Sequence, residues 1–454
     1  MHINRRRLLS AAVTGLVAGR VIVMRPAAAA LSSALGIDAA QLGIRAGAVD
    51  DQSLMLQRAI DRTAKARVPL VLGPGTYRAG DLKLPSGGKL IGVRGATRLT
   101  FSHGSALVSA SQTQQLTISG ITFDGAGIQL ASGRGLIHLV ASHGLNISEC
   151  EFERAGGTAI FLEQAAGVIA NTTIDDSSDV GIHSLNARGL LISGNVISRA
   201  GNGGIQIWRS DKGDDGTIVA DNRIEDTGAR SGGSGQNGNA INVFRAGNVV
   251  VRGNRIRNAA FTAVRGNSAS NLEVIGNFCT GLGEVAIYSE FDFEGAIIAN
   301  NTIDGAAVGV SVTNFKEGGR LAVVQGNLIR NLNRSRIAGS DPNDSHGVGI
   351  SVEADTAVTG NIIENAPNAG IAVGWGEYLR DVSVTGNIVR QCGYGITVSV
   401  VSGAGAALIA NNLISGAVRS AIVGMEWKKA VTGDLIRDGS SQYPQLTIRG
   451  NLTH

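Results

Sequence analysis

The sequence predicts an all-β fold, a single-stranded right-handed parallel β-helix of about a dozen coils of 22–25 residues with an N-terminal capping helix. Three observations carry this. Of 30 asparagines only Asn4 precedes residue 146, and from there an apolar-x-Gly-Asn-x-apolar motif recurs. A second motif, Gly/Ala-Ile/Val-x-Val/Ile, runs in phase with it. Glycine reaches 64 of 454 residues, with only 7 prolines and 4% aromatics, so many tight turns must join short strands.

The first motif reads Gly194-Asn195, Asp221-Asn222, Gly253-Asn254, Gly276-Asn277, Asn300-Asn301 and Gly326-Asn327, then Gly360-Asn361, Gly386-Asn387, Asn411-Asn412 and Gly450-Asn451. Ile121, Cys150 and Thr172 fill the same slot in weaker copies. Spacings floor near 22–25 residues, and the excess is loop insertion. Such a repeat is too short for a βα unit and alternates with period two, the signature of strands. One coil cannot bury its apolar face alone, but stacked coils can, each pairing with the next at ~4.8 Å. Parallel crossovers are right-handed. The Asn slot belongs to the scaffold: asparagine tolerates the left-handed turn conformation, and stacked side chains can hydrogen-bond as a ladder.

In chain order, residues 1–30 form a leader, 31–85 an N-terminal cap and 86–454 the β-helix. Asn4-Arg5-Arg6-Arg7-Leu8-Leu9-Ser10, a short apolar core and Ala27-Ala28-Ala29-Ala30 resemble a twin-arginine export signal. It implies a periplasmic or secreted protein, with the twin-arginine translocase as a partner during export and a mature form not embedded in a membrane. Within the cap, Leu54, Ala59, Ile60 and Thr63 define one helical stripe, with Asp50 or Asp51 as its cap. The helix would cover the open end of the first coil. The formal charge of +4 belongs to the leader: without its five arginines, 35 basic residues face 36 acidic ones. No basic run with interleaved aromatics remains, so nucleic acid is not an expected partner. Cys150, Cys279 and Cys392 lie too far apart for common zinc patterns and read as buried thiols.

Leu70-Val71-Leu72-Gly73-Pro74-Gly75-Thr76-Tyr77, then Leu82-Lys83-Leu84 and Leu90-Ile91-Gly92, together with both repeats, resemble the pectin-lyase-like superfamily of right-handed β-helices. With Arg5-Arg6, the chain is most similar to a family of twin-arginine-translocated repeat proteins with no assigned activity. Function enters from this resemblance by analogy alone. The Gly-His-Gly and Arg-x-Lys motifs of polygalacturonases are absent. Asp341-Pro342-Asn343-Asp344 is similar to the Asp-Pro-His-Asp motif of alginate epimerases, with Asn343 replacing the histidine. Asp211-Lys212-Gly213-Asp214-Asp215-Gly216 faintly resembles a calcium loop, but Asn222 stands where its last glutamate would be. A solvated acidic loop is the preferred reading, and no cofactor is expected.

In Gly-Ile-x-Val the position x points outward. Coil by coil it reads Phe161, His183, Gln206, Asn242, Arg265, Tyr288, Ser311, Ser351, Ala372 and Thr397. Two residues on come Leu185, Trp208, Phe244, Asn267, Glu290, Thr313 and Glu353. Long insertions before the strand (Thr227–Asn239, Asn333–Ser345) and after it (Arg209–Gly216, Asn314–Gly319, Gly374–Leu379) would wall a groove. Its floor repeats at ~4.8 Å, close to the repeat of an extended sugar chain. The expected partner is therefore a polysaccharide. Arg265, Tyr288 and Glu290 are the candidate catalytic residues. His183, Gln206, Trp208, Asn242, Phe244, Asn267, Asp292 and Glu353 are the candidate substrate contacts. Uronate lyase or epimerase chemistry would use Asn242 and Arg265 as neutralisers and Tyr288 as base or acid. Hydrolysis would use carboxylates such as Glu290 and Asp292, alternating on one strand, with Glu353 beyond them. The alternative is a non-catalytic glycan-binding or structural scaffold protein.

Overall fold

The computed structural model describes residues 35–333 and 346–454. The leader and the Asp341–Asp344 motif lie outside the described residues. The chain winds as a right-handed parallel β-solenoid of about 14 turns with a single short helix near its N-terminus. Each turn contributes one strand to each of three sheets. Among the described residues sheet I has 16 strands and sheets II and III have 15 each, and neighbours within a sheet are successive coils except at the C-terminal hairpin that ends sheet III. One turn reads His143–Ser148 in sheet I, Glu151–Ala155 in sheet II and Thr158–Glu163 in sheet III. The count exceeds a dozen because coiling starts before the Asn repeats. Leu70–Val71, Gly75–Ala79 and Leu82–Lys83 already occupy the three sheets.

The interior is a stack of identical rows. In sheet III, Ile182, Ile205, Ile241, Val264, Ile287, Val310, Ile350, Ile371 and Ile396 lie in register, and all are fully buried. Phe123 stacks on Phe152 at 5.0 Å in the same interior.

The asparagine slot lies at the corner between sheets I and II. The left-handed residue there is the one before the slot, Gly194, Asp221, Gly253, Gly276 or Asn300, with φ of 56–65°. The ladder asparagine itself has ordinary backbone, which corrects the expectation that it supplied the turn. Its role is the side chain. Asn277 Nδ2 donates to Asn301 Oδ1 at 3.0 Å and to the Val251 carbonyl at 3.0 Å. Its own Oδ1 accepts from the backbone N–H and Nδ2 of Asn254, both at 3.0 Å. The same links run from Asn195 to Asn451. They satisfy buried corner groups that no strand can reach.

The helix spans Ser53–Lys65 and buries Leu56, Ala59, Ile60 and Thr63 against the first strands of all three sheets. Leu54, expected in that stripe, is 64% exposed, and Leu56 occupies its place one position before Gln57. Asp51 Oδ1 accepts from the Ser53 N–H at 2.9 Å, so it caps from just outside the first turn. At the other end, Ser420–Glu426 pairs antiparallel with Lys429–Asp434 in a hairpin that closes sheet III. The three cysteines are buried and unpaired with one another, and burial pushes the Cys150 and Cys279 thiols up to about 12.

Candidate functional site

The outward row of sheet III is in register as expected, from His138 and Phe161 through His183, Gln206, Asn242, Arg265, Tyr288, Ser311 and Ser351 to Ala372 and Thr397. Its two halves differ. In the first half the polar side chains are roofed. Gln206 Nε2, Asn242 Nδ2 and Arg265 Nη1 donate to the carbonyls of Gln236, Gly235 and Ser234, at 3.1, 2.9 and 2.8 Å. The insertion before the strand therefore lies along the row as a lid rather than standing beside it as a wall. It leaves Gln206, Asn242 and Arg265 only 3%, 2% and 7% exposed.

Beneath this roof Arg265 makes a bidentate ion pair with Glu290, at 2.6 and 2.9 Å. Asn267 Nδ2 donates to the same carboxylate at 3.0 Å, and Glu284 lies 3.5 Å from Arg265. Tyr288 presents its ring to the guanidinium, 5.0 Å away. Burial works against the Arg265 charge, but Glu290 outweighs it and holds the guanidinium above its ordinary range. The structure thus gathers Arg265, Asn267, Tyr288 and Glu290 in one network, whose charges are spent on each other. Asp292 is not part of it. The strand ends at Glu290, Phe291 turns with φ +60°, and Asp292 reaches Lys212 Nζ at 3.0 Å. The idea that Glu290 and Asp292 alternate on one strand fails at that corner.

His183 belongs to a ring stack. His138, Phe161 and His183 lie face to face at 4.8 Å, and Trp208 and Phe244 continue edge-on. His183 Nδ1 is 2.7 Å from Gln206 Oε1, and Trp208 Nε1 donates to Asn242 Oδ1 at 3.2 Å. Burial pushes the His183 imidazole down, against the Gln206 contact and Asp179. The faces of His138, Phe161 and His183 are covered by one another, whereas Trp208 and Phe244 meet their neighbours at 72° and 64°.

The open groove lies over the second half of the row. It encloses about 590 Å³. Tyr288, Ser311, Ser351, Ala372 and Thr397 form its floor, and the small size of the last four is what leaves it deep. Trp375 and Trp427 stand on one side, Glu284, Tyr394 and Arg419 on the other. Trp375 and Trp427 meet edge to face at 5.6 Å, and Tyr378 lies 6.3 Å from Trp427. Glu353, from the position expected to contact substrate, is on this floor and only 9% exposed. Burial raises its carboxyl to about 7, against the Phe315 N–H that donates to it at 2.7 Å. A second cleft of about 780 Å³ at the C-terminal end, lined by Arg419, Asp434 and His454, adjoins the groove: it shares Tyr394 and Arg419 with it and includes Val423, which follows Thr397 in the outward row.

Sequence reasoning passed over Trp375, Trp427, Tyr394 and Arg419. The signal for Trp375 was present in the Gly374–Leu379 insertion. The run of Ser, Ala and Thr was a sign of space. Trp427 follows the last repeat and carries no pattern. Among the described residues no cluster of His, Cys, Asp and Glu is placed to hold a metal ion. Asp214 and Asp215 of the acidic loop turn apart, to Asn248 and to Thr217.

Two overlapping stretches, residues 105–235 and 212–380, match the family described as right handed beta helix region, and the chain belongs to that family. No curated protein matches the sequence significantly. Among solved structures, the N-terminal fragment of bacteriophage phi29 gene product 12 is similar at 15% identity, over 87% of this chain and 70% of that one, with a TM-score of 0.50. PfbA, a surface adhesin of Streptococcus pneumoniae, is 15% identical over 86% of this chain and 91% of its own, with a TM-score of 0.49. The catalytic unit of the GH87 α-1,3-glucanase from Streptomyces thermodiastaticus is 13% identical over 92% and 68%, with a TM-score of 0.48. At these identities the likeness is one of fold alone.

Proposed function

We propose that this is an exported protein that binds an extended polysaccharide in the groove over the second half of sheet III, with the protonated Glu353 as a hydrogen-bond donor to the sugar. The observation that carries the reading is the join of an aromatic-walled groove with a buried carboxyl that keeps its proton to about pH 7. The groove's floor repeats at ~4.8 Å, near the rise of a sugar chain, and tryptophan faces suit pyranose rings. A protonated carboxyl can donate to a glycosidic or hydroxyl oxygen. A lyase built on Arg265 would need its guanidinium to leave Glu290, so Arg265 and Glu290 act as positioning residues that fix Tyr288 at one end of the groove.

One observation favours binding without turnover. Hydrolysis needs a second carboxyl ~5–9.5 Å from the first. Glu290 lies two coils from Glu353, ~10 Å along the axis, and is closed by Arg265, while Glu284 on the groove wall accepts from Thr262 Oγ1 at 3.2 Å and lies 3.5 Å from Arg265. Binding is tested by calorimetric titration of the mature protein with a panel of neutral and acidic polysaccharides. Trp427→Ala should weaken the bound glycan about tenfold, near 1.4 kcal/mol, the scale of one aromatic contact. A glycan whose affinity ignores both Trp427→Ala and Trp375→Ala would place the ligand elsewhere.

A further inference from the structure

Sheet II carries a second ordered face, away from the groove. Along one outward row, Phe278, Thr302, Leu328, Ile362, Ile388 and Leu413 follow in register through six coils. Phe278, Leu328, Ile362 and Ile388 are 41%, 36%, 42% and 37% exposed. Single exposed apolar residues are ordinary on a soluble protein, but five in one row, interrupted only by Thr302, are not. Two residues on, the parallel row reads Thr280, Asp304, Arg330, Glu364, Arg390 and Ser415. Its charges run neutral, minus, plus, minus, plus, neutral. Read backwards, every sign is reversed.

That symmetry specifies a partner. A two-fold axis lying in the interface and parallel to the strands reverses coil order but keeps position along the strand. The apolar row then meets the apolar row and the charged row meets the charged row. With the axis between the coils of Arg330 and Glu364, Leu328 faces the second copy's Ile362, Phe278 its Leu413, and Thr302 its Ile388. Arg330 meets the second copy's Glu364, Asp304 its Arg390, and Thr280 its Ser415. An axis parallel to the solenoid would instead set apolar against charged residues. Within one chain these charges already pair as Arg330–Asp304 at 2.8 Å and Arg390–Glu364 at 3.2 Å. The four are still 26–50% exposed as side chains and can bridge to a second copy.

We infer that the outer face of sheet II is an isologous interface on which a second copy of this chain packs antiparallel, leaving both grooves open. Six coils give a face ~24 Å long. That is small among stable interfaces, so the dimer should be reversible.

Sedimentation velocity on the mature chain over a wide concentration range tests this. The wild type should pass from monomer to dimer as concentration rises. Ile362→Arg and, separately, Ile388→Arg should stay monomeric, with circular dichroism and melting unchanged. Glu364→Arg should weaken the dimer about tenfold or more by setting like charges together. Arg330→Glu combined with Glu364→Arg should restore it, because the reversed series is again complementary. Because Arg330 and Glu364 are also partners on adjacent coils of one chain, melting is followed across the series, and the swap counts as rescue of the interface only where melting is the same in all three proteins. A wild type that is monomeric throughout, or a dimer indifferent to Ile362→Arg and Glu364→Arg, overturns the inference. Either result leaves the groove's glycan titration untouched.

Discussion

Replacing Glu353 by glutamine removes one titration from the fold. The folded carboxyl keeps its proton to about pH 7, whereas its ordinary value is 4.5. Between those values the folded chain binds more protons than the unfolded one, so stability falls as pH rises. Below the lower value both states are protonated and the group contributes nothing. Above the upper value the full cost of burying a carboxylate is felt. At about 1.4 kcal/mol per pH unit this amounts to about 3 kcal/mol. Glutamine keeps an oxygen for the Phe315 N–H but does not titrate. The stability of Glu353→Gln relative to wild type should therefore climb by about 3 kcal/mol from about pH 4 to about pH 8. Urea unfolding of both proteins across that range measures the difference, and carboxyl titration by NMR checks the cause. A difference that stays flat with pH would refute the argument, because Glu353 would then be solvated in the folded state.

Two further outcomes are expected. Asn277→Ala leaves the Val251 carbonyl and the Asn254 N–H without their partner. At about 1–3 kcal/mol for each buried group left unpaired, calorimetry should show a clear fall in melting temperature with glycan affinity unchanged. Loss of affinity at unchanged stability would put the ladder in the site. Because Arg5 and Arg6 precede a short apolar core, Arg5→Lys with Arg6→Lys should leave the precursor in the cytoplasm by fractionation, and normal export of that variant would exclude the twin-arginine route.

The coils were legible because each repeats a local rule. Asn254 and Asn277 sit in a slot defined by the left-handed glycine before it, and Ile241 and Val264 sit in a row defined by alternation. The helix stripe was misplaced at Leu54 because Leu54 and Leu56 both fit an apolar face, and only contact with the first coil chooses between them. Arg265, Tyr288 and Glu290 were read as neighbours from register alone, and they are neighbours. Their pairing was not legible, since a guanidinium and a carboxylate on adjacent coils can face solvent or each other. The roof decides it, and the Ser234, Gly235 and Gln236 carbonyls that form it belong to a loop with no repeat. A groove on this strand was legible, with the Gly374–Leu379 insertion as a wall, but its place over the later coils was not: Trp427 lies outside the motifs, and the depth comes from side chains that are small.

The asparagine ladder also bears on how such a chain changes length. Each amide donates toward the next coil and accepts from the one before, so all the links point the same way along the axis. Every link is made between adjacent coils and is chemically the same as the others. Gain or loss of one whole coil between Asn195 and Asn451 would leave the remaining links intact and rotate no side chain from core to surface. A partial coil would break the series and misalign three sheets at once. Lineages of this protein should therefore differ in length by whole turns, and the corner between sheets I and II acts as a ratchet on which insertions survive.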